Sequence, residues 1–176
     1  RINVIGTAGS GKSFFSKRVA QKLNIPYVEL EALAWKSNWT EVTDEELFPN
    51  LLEHLSSDNW VLDGNYSRTR HIKWKKCQMV VYLDMPFHII FYRLLRRTLI
   101  RIVTGKELWA GNKENFCRQF FTSHSVIWWG LSNFFPKRRY YSIDSKNPEY
   151  SHIKFVRLRS KKEVEDFITQ GQSLFL

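Results

Sequence analysis

Gly6-Thr7-Ala8-Gly9-Ser10-Gly11-Lys12-Ser13 completes the pattern G-x-x-x-x-G-K-[ST], and each part of that pattern has a physical task. The glycines let backbone N–H groups turn inward around phosphate oxygens, with Ser10 inside the cradle. A helix starting at the loop adds the positive end of its dipole. Lys12 can reach the β- and γ-phosphates, and the Ser13 hydroxyl is placed to ligate Mg²⁺. Ile2-Asn3-Val4-Ile5 before the loop and an amphipathic pattern over 14–23 after it supply the required strand–loop–helix frame. The expected ligand is a nucleoside triphosphate, ATP with Mg²⁺.

Such a loop needs a carboxylate at a strand end to complete the Mg²⁺ shell. Asp63 follows the apolar Trp60-Val61-Leu62 and precedes Gly64, where the backbone can approach a ligand closely. It is the expected metal-shell or catalytic carboxylate. Asp84, before Met85-Pro86, fits a structural turn at a helix start. Glu29 and Glu31, two apart, would share one face of a strand. There they could hold Mg²⁺, take a proton from a hydroxyl or bind acceptor hydroxyls; a solvated strand end is the plainer alternative. Trp35 and Trp39 could wall a planar or sugar ligand, or fill core.

Arg68 and Arg70 follow the Asp63 turn and suit an anionic acceptor. Arg93, Arg97 and Arg101 recur every fourth residue and form one helical stripe, with Arg96 beside it. A solvated face is the bland reading; before a glycine-containing segment in this context the stripe reads better as a clamp on the transferring phosphoryl group. Lys106 and Arg118 are candidate lid charges, and Lys137-Arg138-Arg139 reads as solvated surface.

Five strand-like runs must position these groups: Ile2-Asn3-Val4-Ile5, Ile25-Pro26-Tyr27-Val28-Glu29-Leu30, Trp60-Val61-Leu62-Asp63, Met79-Val80-Val81-Tyr82-Leu83-Asp84 and Ile153-Lys154-Phe155-Val156-Arg157-Leu158. Thr43-Asp44-Glu45-Glu46 and Ser160-Lys161-Lys162-Glu163 are capping-box signatures, and Gly171 is the expected stop of the last helix. Leu47, Leu51, Leu52 and Leu55 fall on one helical face. A further helix is expected over 87–103, with Ile90, Phe91, Leu94, Leu95 and Ile102 toward the core. The aromatic-rich stretch 104–135 reads as largely helical after a hinge-like piece at 104–113. Strands alternating with helices give an α/β fold with a mainly parallel, doubly covered sheet. Its ligands gather at the carboxyl ends of the strands, where the loop, Glu29, Glu31, Asp63 and Asp84 all fall.

With 176 residues the chain fits one domain over 1–176, with 104–125 as a lid segment inside it. Cys77 and Cys117 stand alone with no C-x-x-C pair, which argues against a disulfide framework or a cysteine zinc set and for a reducing setting. No apolar run approaches a bilayer span. The chain opens on a strand pattern rather than a signal peptide, its first residue being Arg1 rather than Met, so a cytoplasmic setting is expected. The net charge of +10 suits polyanions without choosing among nucleotides, nucleic acid or an acidic membrane face.

The loop, Glu29-Leu30-Glu31-Ala32-Leu33-Ala34-Trp35, Trp60-Val61-Leu62-Asp63-Gly64-Asn65-Tyr66, Val81-Tyr82-Leu83-Asp84-Met85-Pro86 and Val156-Arg157-Leu158-Arg159-Ser160 together resemble the bacterial topology modulation proteins. These are often labelled adenylate kinase-like and stand beside shikimate and nucleoside monophosphate kinases. The resemblance implies a three-layer P-loop fold with a five-stranded sheet ordered 2-3-1-4-5 and a helical lid after the fourth strand. It also implies a Mg²⁺-linked role for Asp63, and places Arg159 and Ser160 in the loop that touches the base. Glu31 stands where the family usually has Asp, and the turn after Asp63 lacks the Phe-Pro-Arg of adenylate kinases. The expected function is transfer of the γ-phosphate of Mg-ATP to a small acceptor such as a nucleotide, a nucleoside or a hydroxy acid. The alternative is a nucleotide-switched nucleic-acid-binding protein that modulates DNA topology; a degenerate fold serving as a partner-binding module is opposed by intact Lys12, Ser13 and Asp63.

Overall fold

The computed structural model describes residues 1–114 and 134–170. The expectations for Cys117, Arg118, residues 115–125 of the lid, a largely helical 115–133 and the stop at Gly171 lie outside the described residues, as does the side chain of Lys137. Strand β1 (Ile2–Gly6) leads through the loop into α1 (Lys12–Leu23), and β2 (Tyr27–Glu29) into α2 (Leu30–Ala34). A small antiparallel hairpin, β3 (Trp35–Lys36) and β4 (Thr40–Glu41), precedes α3 (Asp44–His54). Then come β5 (Val61–Asp63), α4 (Arg70–Lys73), β6 (Met79–Leu83), α5 (Phe87–Thr104), α6 (Phe134–Asp144), β7 (Lys154–Leu158) and α7 (Lys161–Gln170).

The five sheet strands are all parallel and run β2-β5-β1-β6-β7 across the sheet. Counted among themselves, that is the order 2-3-1-4-5. On one face α1, α5, α6 and α7 pack around Val4, Phe15, Val81, Ile90, Phe134 and Phe167. On the other, α2, α3 and the end of α4 enclose Leu30, Leu47, Leu51, Trp60, Leu62 and Trp74. The strands are therefore buried on both sides, as their near-continuous apolar runs require. Register brings Glu29 opposite Asp63 and Asp63 opposite Val4, so the carboxyl ends of the central strands converge at the loop.

Several local expectations are corrected. The second strand ends at Glu29, because Leu30-Glu31-Ala32-Leu33-Ala34 is a run of strong helix formers that buries Leu30 and Ala34 one turn apart. Glu29 and Glu31 therefore do not share a strand face. Leu52 is 56% exposed whereas Leu51 is fully buried, and Phe91 faces outward while Ile90 and Leu94 are buried. Thr43 caps α3 without a side-chain hydrogen bond, while Glu46 bonds to Lys36 and approaches the Thr43 backbone. At the second capping-box signature, Ser160 Oγ accepts the Glu163 N–H at 3.1 Å as expected of a cap, while the Glu163 carboxylate accepts the N–H of Arg159, one residue before the cap, at 2.8 Å. Helix α5 stops at left-handed Gly105, and the next nine residues form a turn closed by a Glu107–Lys113 bridge, in agreement with the helix expected over 87–103 and the glycine-containing break after it.

The turn after β5 is locked by buried polar groups. Asn3 Nδ2 donates to the carbonyls of Leu62 and Gly64, and Trp74 Nε1 donates to Asn3 Oδ1. Lys73 Nζ donates to the carbonyls of Gly64, Asn65 and Tyr66. Burial pushes the Lys73 ammonium down to about 7, with nearby Arg70 adding to the shift. Cys77 is buried too, and burial pushes its thiol up to about 11, which marks it as packing rather than reactive.

Two outcomes are expected from this packing. Leu51→Ala should lower the urea unfolding free energy by about 2–5 kcal/mol, and Leu52→Ala by less than about 1 kcal/mol. Lys73→Met should cost about 1–3 kcal/mol by leaving the Asn65 carbonyl without its donor. Because the folded Lys73 value lies below the ordinary 10.5, its burial penalty is full at low pH and relieved as pH rises. Unfolding curves should therefore show the wild-type advantage over Lys73→Met widening from about pH 7 to about pH 9.

Candidate functional site

The loop is shaped by what surrounds it. At Gly9 (φ 83°) an added Cβ would lie 2.9 Å from the Ile90 carbonyl oxygen of α5, so only glycine lets loop and helix pack this closely. Gly11 (φ 98°) caps α1 in the left-handed region and turns the helix N-terminus toward the loop interior. Lys12 Nζ rests 3.4 Å from the Thr7 carbonyl, and Arg93 Nη1 donates to the Ser10 carbonyl at 3.4 Å. Thr7 Oγ1 and Ser10 Oγ are buried with no protein partner. Unused donors around a helix N-terminus fit a phosphate chain.

Asp63, 1% exposed, stands beside the loop. Its Oδ2 accepts the Tyr27 hydroxyl at 3.2 Å, while Oδ1 is buried without a partner. Burial, Asp63 and Glu29 all raise the Tyr27 phenol above its usual value, so it stays a donor; the Ser13 hydroxyl lies beside it. Ser13 and Asp63 both reach the Tyr27 hydroxyl. A single carboxylate and a hydroxyl suit Mg²⁺, which takes its remaining ligands from phosphate and water. Among the described residues no group of three or more histidine, cysteine or acidic side chains forms a closed metal cage.

Asn65 ties the two halves of this site. Its Oδ1 accepts the Gly6 N–H at 2.9 Å and its Nδ2 donates to the Gly6 carbonyl at 2.7 Å. Gly64 is required for another reason than ligand approach: an added Cβ would meet Leu30 Cβ at 2.6 Å and Glu31 Oε2 at 3.3 Å. Its bareness lets α2 press against the turn.

That contact delivers Glu31. Burial raises its carboxyl above the usual range, Lys12 opposes the shift, and Asp63 and Glu29 reinforce it. Glu31 Oε2 is buried and unpartnered. Across the cleft, burial pushes the Arg97 guanidinium down to about 10, as does Arg101, against the pull of Glu114 and Glu31. Arg97 Nε has no acceptor. Arg101 Nη1 pairs with Glu114 Oε1 at 2.9 Å; the Glu114 side chain is 1% exposed, and its Oε2 is unpartnered. The segment carrying Glu114 is pinned to the hairpin by Asn112, which donates to the Lys36 carbonyl and accepts the Trp39 N–H, both at 2.8 Å. Trp35 and Trp39 meet edge to face at 5.6 Å on this wall.

Other expected site residues stand apart from this cluster. Arg68 is bound to Asp44 at 2.8 Å and to Glu41 at 3.5 Å; Arg70 is bound to Asp144 at 2.9 Å and lies over the Trp74 ring. Asp84 holds Arg138 and Arg157 at 2.6 and 2.5 Å, a structural role for that carboxylate. Arg138 is therefore an ion-pair partner rather than free surface. Arg159 lies at a cleft of about 580 Å³ with Pro86, Phe87, Phe134 and Arg157. Lys106 and Arg96 are exposed. Sequence reasoning passed over Tyr27, Asn65, Lys73, Asn112 and Glu114. Asn65 lay inside the Asp-Gly-Asn-Tyr run, but nothing in the sequence revealed its bond to Gly6.

No family model matches the chain. A curated protein of Thermococcus gammatolerans named "Putative adenylate kinase" is 32% identical over an alignment of 116 positions that covers 62% of this chain. The matched stretch spans 63% of that relative's length. Among solved structures, a sugar kinase from Janibacter sp. HTCC2649 superposes with a TM-score of 0.53 at 16% identity, over 99% of this chain and 92% of its own. A gluconokinase from Sinorhizobium meliloti 1021 gives 0.52 at 16% identity, over 99% and 94%. A shikimate kinase from Aquifex aeolicus gives 0.50 at 18% identity, over 99% and 95%. At these identities the likeness is one of fold: the chain has the α/β P-loop kinase fold.

Proposed function

We propose that this chain is an ATP-dependent phosphotransferase acting on a small hydroxyl-bearing acceptor. The observation that carries the reading is the set of buried, unpartnered polar atoms around one cleft: Ser10 Oγ, Asp63 Oδ1, Glu31 Oε2 and Arg97 Nε. Buried groups left without partners cost about 1–3 kcal/mol each, so their concentration here marks where a polar ligand fits. The named kinase relative and the kinase fold agree with it.

Bound Mg-ATP supplies the phosphoryl group, with its charge partly neutralised by the metal. Gly6, Gly9, Ser10 and Gly11 cradle the phosphates, and Lys12 faces their negative charge. Ser13 and Asp63 hold the metal, with Tyr27 keeping Asp63 oriented. Arg93 and Arg97 offset charge on the moving phosphoryl group. Glu31 takes the proton of the acceptor hydroxyl, while Glu29, Trp35 and Gly64 shape the acceptor side. Arg159 serves the base from the cleft beside α6. Arg68 and Arg70 are held in ion pairs apart from these groups. The arginine stripe of α5 turns toward the loop and Glu114, so it does not offer the outward basic surface that a nucleic-acid switch needs.

A transfer screen with Mg-ATP labelled at the γ-phosphate, run against nucleosides, nucleoside monophosphates and hydroxy acids, tests the reading. Transfer to one of them should vanish in Lys12→Ala; absence of transfer together with salt-sensitive DNA binding would instead favour the nucleic-acid switch. Asp63→Asn should lose at least about 10²-fold in kcat and change the unfolding free energy by less than about 1 kcal/mol; comparable loss of both would make Asp63 structural. Glu31 must be ionised to accept a proton, and burial holds its carboxyl above the usual range. Activity should therefore rise with pH along an acid limb displaced upward from the ordinary glutamate value. Glu31→Gln should remove that limb and lower kcat by about 10²–10⁴-fold.

A further inference from the structure

Arg138 and Arg157 have no task in the phosphotransferase reading, yet the fold brings them together. Arg138 comes from α6 and Arg157 from the edge strand β7, and both line the cleft of about 580 Å³ beside Pro86, Phe87 and Phe134. Asp84, directly after β6, holds them. It accepts Arg138 Nε at 2.6 Å, Arg157 Nε at 2.9 Å and Arg157 Nη2 at 2.5 Å. The Tyr82 hydroxyl donates to the same carboxylate at 3.4 Å. A carboxylate has about four lone-pair sites, and these donors fill them. The Asp84 side chain is 1% exposed, so it offers the cleft no open acceptor.

The guanidiniums differ in both respects. Their side chains are 36% and 32% exposed. Among the described residues nothing accepts from Arg138 Nη1, Arg138 Nη2 or Arg157 Nη1. One carboxylate cannot neutralise two guanidiniums, so the cleft keeps positive charge, to which the exposed Arg159 adds. The Arg138 guanidinium also lies over the Phe134 ring, 4.5 Å from its centroid. Held at Nε and across its face, it loses little further freedom when its Nη pair meets an oxyanion. Phe87, itself exposed, meets Phe134 edge to face at 5.2 Å and gives the cleft an apolar wall. A bare ion would leave that wall unused.

We infer that this cleft is a second ligand site, for a small organic phosphate monoester. Arg138 Nη1 and Nη2 and Arg157 Nη1 donate to the phosphate oxygens, and the organic part lies against Phe87. Three donors on two guanidiniums match the three oxygens of a phosphate ester better than the two of a carboxylate. The site does not depend on the phosphotransferase reading, and Arg159, which serves the base there, is not one of its donors. No bond is made or broken in it.

The test fills the phosphate loop first. Protein saturated with the magnesium complex of a non-hydrolysable ATP analogue (β,γ-imido-ATP) is titrated calorimetrically with phenyl phosphate, inorganic phosphate and benzoate. Phenyl phosphate should bind one equivalent with a Kd below about 1 mM, at least about threefold tighter than either of the others. Arg138→Gln, which leaves Asp84 paired with Arg157, should weaken it by about tenfold or more. Arg139→Gln removes the same charge from the exposed neighbouring position and should leave binding unchanged. Should Arg138→Gln fail to fold by circular dichroism, Arg138→Lys is read instead. It keeps the charge but lacks the Nη pair, and should weaken binding by about threefold or more. The proposal is overturned if the loaded wild type does not bind phenyl phosphate saturably, or if inorganic phosphate or benzoate matches it. It is equally overturned if Arg138→Gln binds as the wild type does, or if Arg139→Gln weakens binding as much. Displacement of the ATP analogue by phenyl phosphate overturns it too, since the ester then sits at the loop. Failure of the analogue to bind counts against the phosphotransferase reading alone, and the wild type and Arg138→Gln are then compared without it.

Discussion

A single side chain, Asn65, joins the phosphate loop to the turn that carries Asp63. Its amide meets both backbone groups of Gly6, one as acceptor and one as donor, so the pair behaves like a short piece of extra sheet at the point where β1 ends. Beyond that point the strand can no longer hold the loop, and the glycines would leave it free to wander. The Asn65 carbonyl is held in turn by Lys73, and the preceding carbonyl by Asn3 and Lys73. The position of Asp63 relative to Lys12 thus follows from buried hydrogen bonds rather than from apolar packing. Such bonds contribute only about 1 kcal/mol each to net stability, but they admit one geometry, which a site needs to hold within a fraction of an ångström.

The same constraint explains what the sequence could and could not reveal. The strand order and the layering follow from apolar runs alternating with amphipathic ones, patterns that survive small errors at element ends. The place of Asp63 at a strand terminus was legible for that reason. Glu31 was legible as a candidate but not in its placement, because helix formers directly after a three-residue strand won over the extended reading. Glu114 was not legible at all. It reaches the cleft only because the chain reverses after Gly105 and is caught by Asn112 on a hairpin more than seventy residues earlier. No local pattern encodes such a contact. The arginines were legible as charges but not as partners: Arg93 and Arg68 look alike in sequence, yet one faces the loop and the other is held by Asp44.

Charge in the cleft is arranged as alternation. Lys12 acts electrostatically on Glu31, Glu31 and Glu114 act on Arg97, and Arg101 is paired with Glu114. Taken singly, any of these buried charges would be costly; placed next to its opposite, each offsets part of the other's desolvation. The balance is incomplete, as the upward shift of Glu31 and the downward shift of Arg97 both record. A cleft whose charges are almost but not fully satisfied by protein is one in which a polar ligand supplies the missing partners.

The wall closed by Asn112 gives that arrangement a further consequence. In the proposed phosphoryl transfer water competes with the acceptor hydroxyl, and one side of the site would have to exclude it. That side is made from two elements with little regular structure of their own, the β3–β4 hairpin and the turn after α5. Both place non-glycine residues at positive φ where they meet: Asn38 and Trp39 on one, Ala110 on the other. Left-handed backbone in such residues costs energy that the contact must repay. The Asn112 bonds and the Trp39 indole N–H to the Lys113 carbonyl supply the repayment only while the two elements touch. The contact and the strained turns therefore stand or fall together, and Glu114, two residues beyond Asn112, is brought to Arg101 by the same contact.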